Sequence, residues 1–225
     1  MNRYILMIFF LCSCIDQLEP VTDLEESDII LPQPRFQGVM SVEEAIKLRR
    51  SERDFQDRSL SLEQISQLLW AGQGITMGFK RAAPSAGATY PLTVYVVVGN
   101  DTVSGLPAAV YEYVPTTHSL ALVKSGDFRQ RIAEACLNQT FIREAPVSIV
   151  IAAEYERTTA RYGERGNRYV HMEAGHVGQN IYLQAVALEL GTVVVGAFLD
   201  ADLAQVVSLP EEQVPLYVMP VGYST

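Results

Sequence analysis

Four short stretches hold side chains whose types and spacing can do chemistry. In Arg49-Arg50-Ser51-Glu52-Arg53 the guanidiniums of Arg49 and Arg53 flank the Ser51 hydroxyl, with Arg50 between them. Gathered within one turn at the end of a helix, such groups make bidentate, charge-assisted bonds to a phosphate monoester, which a lysine point charge does less specifically. A basic cluster at a helix C-terminus also complements the helix dipole, and the pattern alone leaves both uses open. Pro84-Ser85-Ala86-Gly87-Ala88 is a run of small residues bounded by Arg81 and Tyr90-Pro91. Small side chains let the backbone approach a flat aromatic ring and offer it free amides, although the same string also makes an ordinary loop.

Arg161-Tyr162-Gly163-Glu164-Arg165-Gly166 is polar and glycine-punctuated, and is expected to form a loop ahead of a long helix. A phenol at Tyr162 can hold or pass a proton there, or simply pack over the helix start; Arg161 cannot act as a base near neutral pH. Along that helix Glu173, His176, Asn180 and Gln184 recur at three- and four-residue steps beside Val177, Ile181 and Leu188. Such a stripe serves either as buried hydrogen bonding at a helix interface or as direct cofactor contact. Glu173-x-x-His176 has di-iron spacing, but a second such pair and two further glutamates are missing, and His171 and His176 face different sides, so no metal is expected. Gly72-Gln73-Gly74 fails as a dinucleotide fingerprint, because Met77 stands where the third glycine belongs and a helix precedes it; Gly72 reads as a helix C-cap.

The elements that must position these groups are legible from caps and periodicity. Ser41 with Glu44, and Ser61 with Gln64, predict helices to about Arg50 and over Leu62–Ala71. Strands are expected at Leu92–Val98 and Val147–Ala153, with a hairpin of Ala109–Val114 and Ser119–Lys124 around Pro115-Thr116-Thr117-His118. A helix over Phe128–Leu137, the long helix Tyr169–Leu190, a strand Thr192–Phe198, a helix Asp202–Leu209 and a strand Leu216–Val221 complete a layered α/β or α+β domain.

At 225 residues and 48% hydrophobic content the chain is long enough for one full core. A net charge of −9 excludes a nucleic-acid surface that tracks phosphates along a basic stripe. Arg3, the apolar run Tyr4–Leu11 and Leu11-Cys12-Ser13-Cys14 read as a bacterial lipoprotein signal over residues 1–14, with Cys14 the lipidated terminus. The apolar run is too short to cross a bilayer, which takes about 20 residues, so anchoring would rest on lipid at the cell envelope, outside the cytoplasm. A mis-assigned start codon or a cytosolic amphipathic tip is the alternative. Residues 15–37, acidic and proline-containing, are expected to be a tether, and 38–225 the domain. Cys136 is left without a disulfide partner.

Together, Arg49–Arg53, the phrase RAAPSAGATYP and the segment RYVHMEAGHVGQNIYLQAVALELGTVVVGAF resemble the SagB/ThcOx-type dehydrogenases of the FMN-dependent nitroreductase superfamily, over roughly Val42 to Gly222. The resemblance implies an α+β fold with a central mixed sheet flanked by helices, and a homodimer with FMN at the subunit interface. It implies a redox cycle between a donor and an acceptor, with a small-molecule or peptide substrate. By the same resemblance Arg49, Arg50, Ser51 and Arg53 hold the phosphate and ribityl chain, and Pro84, Ser85, Ala86 and Gly87 lie against the isoalloxazine. Val195, Gly196 and Ala197 pass its pyrimidine side, and Tyr162 is the catalytic residue. Azoline-oxidising relatives are expected to carry a Lys-Tyr pair where Arg161-Tyr162 stands, which puts azole formation in doubt; the late basic residues of many nitroreductases are not matched either. If the domain is exported, reduced nicotinamide is scarce there, which favours a substrate dehydrogenase or a partner-fed reductase. The alternative is a lipid-anchored flavin- or ligand-binding protein that has lost turnover.

Overall fold

A computed structural model gives the structure of residues 28–225; the signal segment, Cys14 and residues 15–27 of the expected tether lie outside the described residues. Seven strands form one sheet: β1 (Ile29–Ile30), β4 (Leu92–Val98), β5 (Ala109–Val114), β6 (Ser119–Ser125), β7 (Val147–Glu154), β8 (Gly191–Thr192) and β9 (Gln213–Gly222). Their spatial order is β1-β6-β5-β4-β7-β9-β8, and β2 (Ile75–Met77) pairs separately with β3 (Lys80–Arg81). The α+β class holds. Every named ladder is antiparallel, however, where a mixed sheet was expected. The long connections between β4, β7 and β9 return their strands head to tail, so no parallel crossover arises.

Both faces of the sheet are covered, and the alternation of side chains along each strand decides which core each residue joins. Val94, Val96 and Val98 meet Ile65, Leu68 and Leu69 of α2 (Leu62–Gln73) and Val170, Val177 and Ile181 of α6 (Arg165–Ala187). Tyr95 and Val97 face the other way, onto Ile132 of α3 (Arg129–Ala135), Ile142 of α4 (Phe141–Glu144) and Leu203 of α7 (Asp200–Val207). The caps behave as their residue types require: Ser41 accepts Glu44 N–H at the start of α1 (Val42–Leu48), and Ser61 with Gln64 closes a full capping box.

Several boundaries move. Residues 28–35 dock on the domain: Ile29 and Ile30 pair with Leu120 and Ser119, Leu31 is buried, and the Gln67 side chain bonds the Arg35 backbone through both its amide atoms. An apolar Ile-Ile-Leu run supplies what the open edge of β6 needs. Gly72 lies inside α2, which ends at Gln73 with Gly74 as its cap; a Cβ at Gly72 would stand 3.3 Å from Ile181, so glycine sets how closely α2 and α6 pack. The RYGERG segment is not a loop. Arg161 and Tyr162 end α5 (Glu156–Tyr162), and Arg165 already opens α6. The Thr192–Phe198 strand is reduced to Gly191–Thr192 and a lone bridge from Val195 to Val218.

Candidate functional site

Helix α1 stops at Leu48, and Arg49 takes extended dihedrals (φ −56°, ψ 122°), so the R-x-S-x-R element is an extended strap rather than a helical turn. Extension sorts its side chains by alternation. The Arg49 guanidinium lies 5.1 Å over the Tyr182 ring, and Ser51 Oγ is 2.9 Å from the Tyr182 hydroxyl. Arg53 follows on, 5.9 Å over the Phe141 ring. Arg50, largely exposed, pairs with Glu52. The strap is fixed by Glu52 N–H donating to Thr192 O and by a bridge between Phe55 and Ser224.

The Tyr182 hydroxyl also accepts the Val194 N–H at 2.8 Å, which brings the Val195–Ala197 run to the strap. Val195 is spent on the sheet, exchanging bonds with Val218 at 2.8 and 3.0 Å. Gly196 and Ala197 are exposed, and Ala197 O accepts Gln139 Nε2 at 3.3 Å. Among the described residues, the N–H groups of Gly196 and Ala197 meet no acceptor. Two guanidiniums, a hydroxyl and two free amides therefore share one exposed rim, a donor set suited to a ligand with a phosphate at one end and ring acceptors at the other.

The Pro84–Ala88 loop sits elsewhere, at the start of α6. Ser85 Oγ accepts the Tyr90 N–H at 2.9 Å, and Thr89 Oγ1 is 2.8 Å from Thr158 Oγ1. Gly87 has φ +60°, and a Cβ there would stand 2.5 Å from the Tyr162 hydroxyl. Arg161 Nη1 donates to Gly87 O at 3.1 Å. Tyr162 and the loop, far apart in the sequence, thus touch, and the Tyr162 ring leans edge-on against Tyr169 at 5.2 Å.

Beneath the loop lies Glu173, 3% exposed. Burial pushes its carboxyl up to about 7, against the smaller opposing pulls of the Ser85 hydroxyl, the Arg81 guanidinium and the Gln73 amide. The rest of the polar stripe divides: Asn180 Nδ2 donates to Ala71 O at 3.0 Å and Gln184 Oε1 accepts Gln67 Nε2 at 3.1 Å, tying α6 to α2, while His176 is exposed. His171 bonds Tyr155 at 2.6 Å, and no metal-ligating cluster occurs among the described residues.

The strap and the loop are anchored on α6 at Tyr182 and Glu173, nine positions apart. At 1.5 Å rise per residue that is about 14 Å along one helix. Sequence reading missed Tyr182 as the joint between strap and rim, because its partner Ser51 lies 131 residues away and a tyrosine among helix apolars carries no mark of its bond.

A nitroreductase-family model matches residues 46–223, which takes in the strap, the loop, α6 and the rim. The chain belongs to the nitroreductase family. Within it, a protein of Methanocaldococcus jannaschii assigned as a nitroreductase is 46% identical over 185 residues, covering 81% of this chain and 91% of that one. The crystal structure of a family protein from Ralstonia eutropha, also assigned as a nitroreductase, has a TM-score of 0.77 at 30% identity, covering 92% of this chain and 93% of that one. The microcin B17-processing protein McbC of Escherichia coli is 27% identical over 212 residues, 88% of this chain and 78% of McbC. The nitroreductase-family domain here thus has relatives among microcin- and trifolitoxin-processing proteins as well as among nitroreductases.

Proposed function

We propose that this chain is an FMN-dependent oxidoreductase that passes electrons from a donor to an acceptor as a homodimer. The observation that carries the reading is the rim: Arg49 and Ser51 held on Tyr182, with Arg53 beyond them and the unpartnered Gly196 and Ala197 amides alongside. Flavin is the group that the family generally holds, and a mononucleotide suits a terminal phosphate on two guanidiniums better than a dinucleotide does. A bound flavin would supply hydride transfer at its ring, and the chain's task is to hold and shield that ring. Arg49, Ser51 and Arg53 would bind the phosphate and ribityl chain, and Gly196 and Ala197 would bond the ring edge. Tyr162 would hold a proton at its hydroxyl beside Gly87.

An exposed apolar face supports the dimer: α1 carries Val42 at 65% and Ile46 at 57% exposure. It borders a groove of about 360 Å³ whose walls include Ala45, Trp70, Leu183 and Ala187, apolar surface of the kind partner chains cover. The similarity to a microcin-processing protein supports a SagB-type dehydrogenase with a peptide among its candidate substrates. Lipid anchoring through Cys14 at the bacterial envelope is part of the same proposal; among the described residues no helix is long and apolar enough to cross a membrane.

The test is the absorbance spectrum of the purified chain, the mass of the released flavin, and the particle mass by light scattering. FMN and a dimer are expected, and Arg49→Ala with Arg53→Ala should weaken FMN retention strongly, since each charge-assisted bond contributes roughly 1.5–3 kcal/mol. Unchanged affinity in that double variant would remove the phosphate assignment. Stoichiometric FMN that no donor reduces would favour a binding protein without turnover.

A further inference from the structure

Glu173 and Gln73 form a buried polar pair that is only half joined. Gln73, 1% exposed on α2, accepts Arg81 Nη1 at 3.0 Å through Oε1. Its Nε2 makes no bond, and neither does Glu173 Oε1 opposite. A buried donor and acceptor left open in this way are costly, and a small shift of either side chain joins them.

The same carboxyl faces Ser85, which holds the two ends of the loop together through the Tyr90 N–H. Tyr90 is in turn fixed from the Arg81 side: its hydroxyl accepts the Arg81 N–H at 3.3 Å, and the Arg81 guanidinium stacks 4.7 Å over its ring. Behind Arg81 and Gln73 a polar cavity of about 110 Å³ extends past Tyr113 and Glu112 to Arg157. That volume holds a few waters, each with polar partners on the walls. The charged group acting on Glu173 is Arg81 from β3, which is itself surrounded by Tyr90 from the loop, Tyr113 from β5 and Arg157 from α5, with Glu112 of β5 farther along the cavity wall.

Resting on the flavin reading of the Pro84–Ala88 loop, we propose that Glu173 is a positioning residue for that loop. Ionised, it takes the Ser85 hydroxyl and the Gln73 amide as charge-assisted donors and tightens the loop from below. Protonated, it loosens both, its proton exchanged with solvent. Burial that raises the carboxyl to about 7 sets the change near neutrality.

Two measurements on the flavin-free full chain test this: infrared titration of protonated carboxyl bands, and hydrogen exchange of the peptide spanning residues 82–90, corrected for intrinsic rates. In the wild type a carboxyl band should persist to neutral pH and fade above it, while protection of the peptide rises severalfold over the same range. Glu173→Gln should lose the band and flatten the protection profile; Glu112→Gln should keep the band. Ser85→Ala should keep the band and flatten the protection, which separates loop control from simple burial. A band that survives Glu173→Gln overturns the proposal, as does a protection profile that is flat in the wild type or keeps its pH dependence in Ser85→Ala. Neither readout needs flavin, so failure of FMN to bind would sink the flavin reading separately.

Discussion

The Tyr182 hydroxyl lies 2.9 Å from Ser51 Oγ and accepts the Val194 N–H at 2.8 Å, so one α6 side chain sets the distance between the strap and the rim. A hydroxyl has one proton to give and room for two bonds to accept. With Tyr182 donating to Ser51, Ser51 keeps its own proton for a ligand oxygen, and the Arg49 guanidinium over the same ring stays beside it.

Tyr182→Phe should therefore act on two properties at once. It removes both bonds; the exposed Ser51 turns to water, so the loss falls mainly on the half-buried Val194 N–H and is on the order of 1 kcal/mol. A lower melting temperature and faster FMN release from the same variant are expected. Thermal denaturation and a flavin-release assay check them, and unchanged release with lowered stability would confine Tyr182 to packing.

Elements with strong local marks were legible, and those set by distant partners were not. The N-cap at Ser41, the capping box at Ser61, the hairpin before Ser119 and the valine run at Leu92–Val98 carry their structure in neighbouring residues. The strap does not. Arg49–Arg53 reads as a helix end, yet it is extended because Glu52 and Phe55 pair with Thr192 and Ser224 across the whole chain. Likewise β1 is invisible until the edge of β6 is known, and Arg161-Tyr162, read as a loop, joins α5 because Gly163 at φ +56° makes the turn two residues later than expected. Arg50, next to Arg49 in the sequence, pairs with Glu52 in the extended strap, a partner that residue type alone does not reveal.

Gly87→Ala tests the contact between loop and phenol. A left-handed φ costs an alanine roughly 1–2 kcal/mol, and the new Cβ would meet the Tyr162 hydroxyl at 2.5 Å and Arg161 Nη1 at 2.8 Å. Both are ends of flexible side chains, so the fold should survive with Tyr162 displaced. In a Tyr162→Phe background the same change should cost less, because the hydroxyl that clashes is gone. Equal losses of melting temperature in the two backgrounds would show that the contact carries no strain.

Tyr162→Phe alone should leave the FMN content and the oxidised spectrum intact while slowing reduction by the substrate. The phenol borders the loop at Gly87 and takes no part in the strap. Wild-type reduction rates would reduce Tyr162 to a packing partner of Tyr169, and lost flavin would make its role structural.

Cys14→Ser should abolish the lipid-dependent mass increase of the full-length chain expressed in a bacterium, and with it recovery in the membrane fraction. One acyl chain binds membranes only marginally, so stable anchoring requires several chains at that residue. A mass increase that persists in Cys14→Ser refutes the lipobox reading of Leu11–Cys14.

The buried Glu173 carboxyl should leave its mark on stability against pH. Its ordinary value of 4.5 rises to about 7 in the folded chain, chiefly through burial, so between those values the native state binds more protons than the unfolded one. Stability contributed by this group then falls as pH rises from about 4.5 to about 7 and stays low above it, the reverse of a salt-bridged carboxylate. The shift corresponds to roughly 3–4 kcal/mol at most, because each unit of pKa is worth roughly 1.4 kcal/mol and the open Gln73 amide can swing in to offset part of it. Glu173→Gln cannot ionise, so its denaturation curve should lack that slope and exceed the wild type at alkaline pH while matching it near pH 4. Urea denaturation of both proteins across this range is the measurement. Parallel profiles would mean that the wild-type carboxyl ionises freely in the folded state, and the reading of Glu173 as a proton-holding group beneath the loop would fall with them.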